Sequence, residues 1–384
     1  MKSRAGLIVA VMLVSACAEA PTESKSGEMT RNASGANSSD VVTGTSTVRW
    51  NRKAMALFRA RGGNAGRVNA YVALAQYRAA LAAEEAKQGR NQPSLAAAVA
   101  GASVVVLKQF YPLDAGSIDA ELAAQAAESP AGMEHNKDFN EGESIGRQVG
   151  AAVLALAATD NFGATPPGTP PVGAGKWVSS GAPIVRGGLG ARPFFLLSGS
   201  EIRLPPPPAF GSPEFLAALA EVRAFSDSRT PAQIALTQSW VPFSGVVLNG
   251  VAADLIDKYR RPELEAARII AYANAAAFDA IIACFDTKFT YWFIRPTQAD
   301  PGITLAVGLP NHPSFPSAHS CETGAFEGVL ADAFPSERVF LSEVAQEASM
   351  SRVIGGLHYR FDGDGGLVIG HAAARLALQR RGLE

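Results

Sequence analysis

The sequence of 384 residues is poor in charge and in cysteine, and neither sign of charge dominates it. There are 34 lysine and arginine residues against 35 aspartate and glutamate residues, and charged residues make up only 18% of the chain. A chain so close to neutrality has no field that attracts a polyanion, so we expect no nucleic-acid partner. Beyond the first 20 residues, no uninterrupted apolar run reaches the roughly 18 residues that a membrane span needs. We therefore expect the body of the chain to be water-soluble.

Only three cysteines are present, at positions 17, 284 and 321, which excludes a disulfide-rich scaffold. Cys284 and Cys321 either pair in an oxidising compartment or lie buried as small apolar residues, and burial is the favoured interpretation.

Cys17 follows an N-terminal segment with the order of a secretory signal: a basic start, an apolar stretch and small residues. The segment Val14-Ser15-Ala16-Cys17 resembles the lipobox of bacterial lipoproteins, which implies cleavage before Cys17 and a lipid on its thiol. We therefore expect residues 1–16 to be a signal peptide and Cys17 to be the only membrane anchor. The mature protein would lie in the bacterial cell envelope, periplasmic or at the surface, and by resemblance to sorting rules on the outer membrane.

The rest of the chain divides into four segments of different composition. Residues 17–47 are rich in Ser, Thr, Gly, Asn and charge, and they are expected to form a disordered tether. Residues 48–160 carry apolar residues three or four apart, which predicts an N-terminal helical bundle. Residues 161–212 form a proline-rich excursion that excludes regular helix through much of its length. Helical patterns resume in residues 213–384, which we predict to be a C-terminal helical bundle that carries the functional site.

Candidate functional residues concentrate in this last segment, where four of the five histidines fall within the final 73 residues. Lys288 and Arg295 lie seven residues apart, so on one continuous helix ending at Pro296 both cations would project from nearly the same face. Ser317 and Ala318 directly precede an apolar helical run. This position places a hydroxyl group and a free amide at a helix N-terminus, where anions bind favourably.

A third group of polar residues follows in the sequence from Arg352 to Asp362. The pair Gly355-Gly356 can break a helix and bring His358 back toward Arg352. Asp362, four residues after His358, can then reach a ring nitrogen and fix the tautomer. Together the three groups offer cations, neutral donors and two histidines, a set that suits a tetrahedral oxyanion.

These residues form three fixed patterns: Lys288-x6-Arg295-Pro296, Pro316-Ser317-Ala318-His319 and Ser351-Arg352-x5-His358-x3-Asp362. The combination resembles the signature of the type 2 phosphatidic acid phosphatase and vanadium haloperoxidase superfamily. Most of the chain after the tether, including Arg49-Trp50-Asn51, is similar to the soluble bacterial haloperoxidase-like branch. The resemblance, together with the helical periodicity, implies an all-α fold of two packed helical bundles.

The resemblance also implies roles for the individual residues. The equatorial oxygens of vanadate or phosphate would be held by Lys288, Arg295, Ser317, the Ala318 amide and Arg352. His358 would bond the central atom, vanadium in the case of vanadate, while Asp362 orients the ring. His319 would be the acid–base residue, and Lys288 would also polarise peroxide.

Three positions bear on the choice of reaction. Ala318 stands where the family usually has Gly, and Phe285 stands where the haloperoxidases commonly have Trp. His312 matches a position that is His in bromoperoxidases and Phe in chloroperoxidases, so His312 and Phe285 are the halide-site candidates. His312 precedes Pro313, and capping of a turn explains it equally well.

The resemblance favours a vanadium-dependent haloperoxidase, with vanadate as cofactor, that oxidises bromide or iodide with hydrogen peroxide. The alternative is a secreted acid phosphatase without a cofactor, which hydrolyses phosphate monoesters through a phosphohistidine at His358. An inactive binding protein on the same fold is a third hypothesis, since fold does not imply function. The complete set of polar residues argues against it.

Overall fold

The computed structural model describes residues 44–89, 92–128, 133–163, 169–181, 184, 187–241 and 244–384. These ranges contain thirteen α-helices and no β-strand, so the all-α prediction is confirmed. The predicted signal peptide, Cys17 and nearly all of the predicted tether lie outside the described residues.

The helices are, in chain order, α1 (Ser46–Arg61), α2 (Ala65–Glu85), α3 (Leu95–Phe110), α4 (Ala115–Glu128), α5 (Met133–Ala158), α6 (Pro213–Ser228), α7 (Pro231–Ser239), α8 (Ser244–Lys258), α9 (Glu263–Tyr291), α10 (Pro296–Ala299), α11 (Ala318–Ala333), α12 (Arg338–Ile354) and α13 (Arg360–Arg380). Three short 3-10 helices span Pro112–Asp114, Gly199–Ile202 and Pro335–Glu337.

The helices form two groups that share α9. In the N-terminal group α2, α3 and α5 pack on one another, and in the C-terminal group α11 and α13 pack against each other and against α9. Because α9 also packs along α2, it joins the two groups. Among the described helices, α9 alone is long and apolar enough to cross a membrane, and 94% of its most apolar window is buried inside the protein.

Glycines allow the closest helix pairs to approach. A Cβ atom on Gly146 of α5 would overlap the carbonyl oxygen of Ala98 in α3. In the C-terminal group, a Cβ atom on Gly366 of α13 would lie 2.6 Å from the carbonyl oxygen of Ser317. This close approach brings the first turn of α13 to the start of α11, where the Ser317 amide donates to the Asp362 carbonyl at 2.8 Å.

The described parts of the proline-rich excursion are packed against α9. The buried carboxylate of Asp279 accepts hydrogen bonds from three successive backbone amides, those of residues 194–196, at 2.7 to 3.0 Å. The excursion is also joined to the segment after α9, because the Trp177 amide donates to the Trp292 carbonyl at 2.8 Å. These contacts hold the described parts of the excursion along α9 and beside its C-terminal end.

Candidate active site

Lys288 and Arg295 do not lie on one continuous helix, so that prediction is wrong. Helix α9 ends at Tyr291 because Trp292 adopts the left-handed conformation, with φ 52° and ψ 41°. The Trp292 amide caps the helix by donating to the Lys288 carbonyl at 2.8 Å. Arg295 follows in extended backbone before α10. The turn at Trp292 redirects the chain so that both side chains are buried at the same end of α9.

Lys288 holds the loop that leads to α11. Its Nζ atom donates to the carbonyl oxygens of Pro313 at 3.0 Å and Ser314 at 2.8 Å, and also to that of Pro316. The ammonium group has three N–H bonds, so these contacts use all of them. Burial lowers the pKa of Lys288 to about 8, which leaves it mostly charged at neutral pH.

Arg295 contacts a ring nitrogen of each of two histidines. Its Nη1 atom lies 3.0 Å from Nε2 of His358, and its Nη2 atom lies 3.0 Å from Nδ1 of His312. A guanidinium group has only donors, so Nε2 of His358 is the acceptor in its bond to Arg295. His358 Nε2 therefore carries a lone pair, as the bond to a central atom requires. Nδ1 of His312 also lies 3.0 Å from the Pro313 carbonyl oxygen, which only accepts, so this nitrogen faces both a donor and an acceptor.

The other ring nitrogen of His358 points to Asp362. Nδ1 lies 2.8 Å from Oδ2 of Asp362, which also accepts from the Ser314 hydroxyl at 2.5 Å and from the Tyr359 amide at 3.2 Å. Burial raises the pKa of Asp362 to about 6, although these donors and the nearby cations oppose the rise. Burial and the neighbouring Arg295 hold the pKa of His358 well below its usual range, so the ring is neutral.

The glycine pair between Arg352 and His358 acts as the sequence predicts. Helix α12 ends at Ile354, and Gly356 has a φ of +82°, which residues with a side chain rarely adopt. The amides of Leu357 and His358 then donate back to the Arg352 carbonyl at 3.0 and 3.3 Å. This reversal places His358 beside the end of α12.

The C-terminal end of α7 holds two further site residues. Arg352 Nη2 donates to the Thr237 carbonyl at 2.6 Å, and His319 Nε2 lies 2.9 Å from the Trp240 carbonyl. A carbonyl only accepts, so Nε2 of His319 carries the hydrogen and Nδ1 is unprotonated. Burial, with a contribution from Arg352, lowers the pKa of His319 to about 3, so this ring is neutral as well.

Ser317 and Ala318 begin α11 as predicted. Ser317 is the N-cap residue, and its hydroxyl oxygen accepts from the Ser320 amide at 3.4 Å. Ala318 has a helical, negative φ, so its methyl group adds no backbone strain. The first amides of a helix lack carbonyl partners within it, and they are available to an anion.

A cavity of about 410 Å³ adjoins these residues. The polar side chains that line it are those of Asn64, His312, His319, Arg352 and His358, and Ala318 at the start of α11 also lines it. Phe285 also lines it, with its ring centroid 5.2 Å from that of His312. Lys288, Arg295 and Ser317 are not among the lining residues, so they support the site from behind the cavity wall.

The charges of the site do not balance. Lys288, Arg295 and Arg352 are all buried, and none of them forms an ion pair within 4 Å in the described part of the chain. Among the described residues, Asp362 is the carboxylate that bonds His358 of this cluster, so the three cations and Asp362 together carry an excess of about two positive charges. Buried charges are costly unless they are paired. The cluster is therefore built to receive an anion.

Three groups of this site were not predicted from the sequence. Ser314 bonds Asp362, and the carbonyls of Thr237 and Trp240 hold Arg352 and His319. Ser314 lies between the candidate site residues His312 and Ser317, and this position could have indicated that it belongs to the site. Every residue has a backbone carbonyl, so the residue types at positions 237 and 240 could not indicate that their carbonyls contact the site. Cys284 and Cys321 are buried, free thiols beside the site, as the favoured interpretation held.

Comparison with protein families decides the affiliation of this region. Residues 267–382 match the family model described as the PAP2 superfamily. They belong to the PAP2 superfamily. The PAP2 region runs from α9 to the end of α13 and contains every predicted oxyanion ligand, so the predicted superfamily is confirmed. No curated protein matches the chain in sequence.

The fold of most of the chain is similar to that of bacterial vanadium haloperoxidases. The crystal structure of the first bacterial vanadium-dependent iodoperoxidase aligns with a TM-score of 0.73 and 20% identity, covering 89% of this chain and 98% of that one. An apo-type bacterial vanadium-dependent chloroperoxidase aligns with a TM-score of 0.66 and 15% identity, covering 82% and 93%. The holo-type chloroperoxidase gives 0.61 and 15%, covering 82% and 91%. At these identities the likeness establishes the fold.

Proposed function

We propose that this protein is a vanadium-dependent haloperoxidase that oxidises bromide or iodide with hydrogen peroxide. The observation that carries the proposal is the excess of buried positive charge around an unprotonated His358 Nε2. This arrangement suits an oxyanion whose central atom accepts a ring nitrogen. The fold shared with bacterial vanadium haloperoxidases supports vanadate as that oxyanion.

The residues present fit vanadate by charge and by donor type. Arg352 and the Ala318 amide are donors at the cavity, while Arg295 and Lys288 contribute positive charge behind its wall. Bound there, vanadate would act as a Lewis acid that activates peroxide. For His358 Nε2 to bond a central atom, Arg295 Nη1 must release it, and the released N–H can then donate to an anion oxygen.

The protonation state of His319 favours the peroxidase reaction. Its Nε2–H donates to Trp240, so Nδ1 is a free base in a residue that lines the cavity. A neutral imidazole is ready to accept a proton from hydrogen peroxide. Lys288 takes part through the 313–316 loop that it holds, because its N–H groups are occupied by carbonyl oxygens.

The second candidate function is hydrolysis of phosphate monoesters at the same site. The pair of His358 and Asp362 supports it, because a neutral ring anchored through Nδ1 carries its lone pair on Nε2, which can act as the nucleophile once Arg295 releases it. Phe285 supports it too, since it stands where the haloperoxidases commonly have Trp. This reaction needs a protonated His319 to release the alcohol, and burial disfavours that form.

One purified sample assayed both ways tests the proposal. Halide oxidation with peroxide is measured after vanadate loading, and hydrolysis of p-nitrophenyl phosphate is measured with vanadate as inhibitor. We expect the wild-type protein to oxidise halide, and we expect this activity to be abolished in His358→Ala and retained in His371→Ala. His371 is a matched control because it lies exposed on α13, paired with Glu327 at 2.8 Å. Phosphate release without halide oxidation would replace the proposal with the second candidate.

We further propose that the enzyme is anchored to the bacterial cell envelope by a lipid on Cys17. The support is the lipobox-like order of residues 14–17 in the sequence. Mass spectrometry of the mature N-terminus tests it. A mature chain that starts downstream of Cys17, without lipid, would refute the anchor.

A further inference from the structure

The cavity beside the oxyanion site is larger than the proposed reactants require. Its volume is about 410 Å³. An ion with four oxygens displaces about four waters, or roughly 120 Å³ at about 30 Å³ each. A halide ion and a peroxide molecule are smaller still. Most of the cavity is therefore available to something else.

Away from the oxyanion site, the described wall of this cavity is mainly apolar. We call this part the apolar chamber, and it is lined by Ile281, Phe285, Val307, Leu309, Pro310 and Leu357. Among the lining residues that the structure describes, every polar side chain other than Asn64 belongs to the oxyanion site or is His312, which contacts Arg295. An apolar wall gives no advantage to a small hydrated anion, whereas it favours an organic group.

The apolar chamber is continuous with the oxyanion site. Ile281 and Phe285 lie one turn apart on α9, and the Lys288 Nζ atom is 5.9 Å from the centroid of the Phe285 ring. Leu357 directly precedes His358, so the chamber also meets the site at its central histidine. Val307 and Leu309 are partly exposed and lie on the side open to solvent. The walls thus run from solvent to the oxyanion.

We infer that the apolar chamber binds an apolar, ring-sized organic group of the substrate next to the oxyanion. This inference rests on the oxyanion site of the proposed function and adds the class of organic substrate to it. Such a group is either a separate molecule that receives the oxidised halogen or the organic part of a phosphate ester. In both cases the shared chemistry is an apolar ring against Phe285 and Leu309.

Calorimetric titration with two phosphonates tests the inference without any turnover. Methylphosphonate and phenylphosphonate offer the same oxyanion, and only the second carries a ring. The structure predicts that phenylphosphonate binds at least about tenfold more tightly, since burial of ring-sized apolar surface is worth at least that factor. Titration of phenol with and without saturating phosphate separates the two sources. Binding of phenol beside phosphate identifies a separate acceptor, and displacement by phosphate identifies the ester.

A pair of leucine variants on the same loop controls the experiment. Leu309→Asn places an amide in the apolar chamber, and it should remove the preference for phenylphosphonate while leaving methylphosphonate binding unchanged. Leu305→Asn is the matched control because Leu305 is 36% exposed and is not among the lining residues. Equal affinity of the wild type for the two phosphonates would overturn the inference that the apolar chamber binds an organic group. It would leave the oxyanion site intact. Failure of both phosphonates to bind would overturn the oxyanion site and the inference with it.

Discussion

Nδ1 of His358 lies 2.8 Å from Oδ2 of Asp362, and both side chains are buried. Because the carboxylate accepts this hydrogen, the lone pair of the ring is placed on Nε2, on the side of Arg295. The reactivity of the site therefore depends on a residue that does not line the cavity.

Replacing Asp362 with Asn should lower activity by about 10- to 100-fold, because the amide no longer fixes the charge and tautomer of His358. Steady-state rates at saturating peroxide and halide measure the loss. Asp364→Asn is the matched control, since Asp364 lies exposed two residues later on α13. Equal activity in the two variants would show that the Asp362 carboxylate does not act on His358.

Ser314→Ala should move the pH profile. Burial raises the pKa of Asp362 to about 6, and the Ser314 hydrogen bond opposes that rise. Wild-type activity should therefore fall as the pH drops below about 6 and Asp362 is protonated. Without the hydroxyl group the pKa rises further, so the acid limb shifts to higher pH. We expect a loss of about threefold at pH 6 and little change at pH 8. An acid limb at the same pH in both proteins would contradict this role.

Much of the site follows from local sequence signals. The Gly355-Gly356 pair predicts the return of His358 to Arg352, and the Ser317 position predicts the start of α11. Both depend on backbone preferences within a few residues, which a sequence expresses directly.

Other parts of the site could not be predicted. The end of α9 depends on a left-handed tryptophan, and no sequence rule favours Trp in that conformation over a further helical turn. Arg352 and His319 are held by the backbone carbonyls of Thr237 and Trp240 at the C-terminal end of α7, and the position of these carbonyls is set by tertiary packing. The two helical groups follow from apolar periodicity, while the sharing of α9 between them emerges only in the folded chain.

Asp279→Asn should loosen the proline-rich excursion. The carboxylate accepts from three amides, and an asparagine turns one accepting oxygen into a donor that faces an N–H group. We expect a loss of about 2 kcal/mol in the free energy of unfolding, together with faster proteolysis within residues 161–212. Asp286→Asn is the control on the same helix. Its ion pair with Arg203 is partly exposed, so its loss should cost less than about 1 kcal/mol. Equal effects of the two substitutions would show that the Asp279 carboxylate does not hold the excursion on α9.

The same substitution at two glycines should have opposite effects on stability. Gly146→Ala places a Cβ against the Ala98 carbonyl and should destabilise the fold by about 2 kcal/mol. Gly116 lies in α4 with no neighbouring atom within 4 Å of an added Cβ, so Gly116→Ala should stabilise by about 0.5 kcal/mol. Chemical denaturation of the two variants measures both values. If Gly146→Ala left the free energy of unfolding at the wild-type value, α3 and α5 would not be in this close contact.

Calorimetric titration of the protein with orthovanadate probes the buried anion site itself, because it detects anion binding without any assumption about the reaction. We expect one vanadate to bind per chain and to be displaced by phosphate. Affinity should fall at least about tenfold in Arg352→Lys, since lysine cannot contact Thr237, Ser351 and an anion in the same way. Arg375→Lys, an exposed control on α13, should bind as the wild type does. An absence of vanadate binding, or equal binding by the Arg352 and Arg375 variants, would show that these residues do not form an oxyanion site.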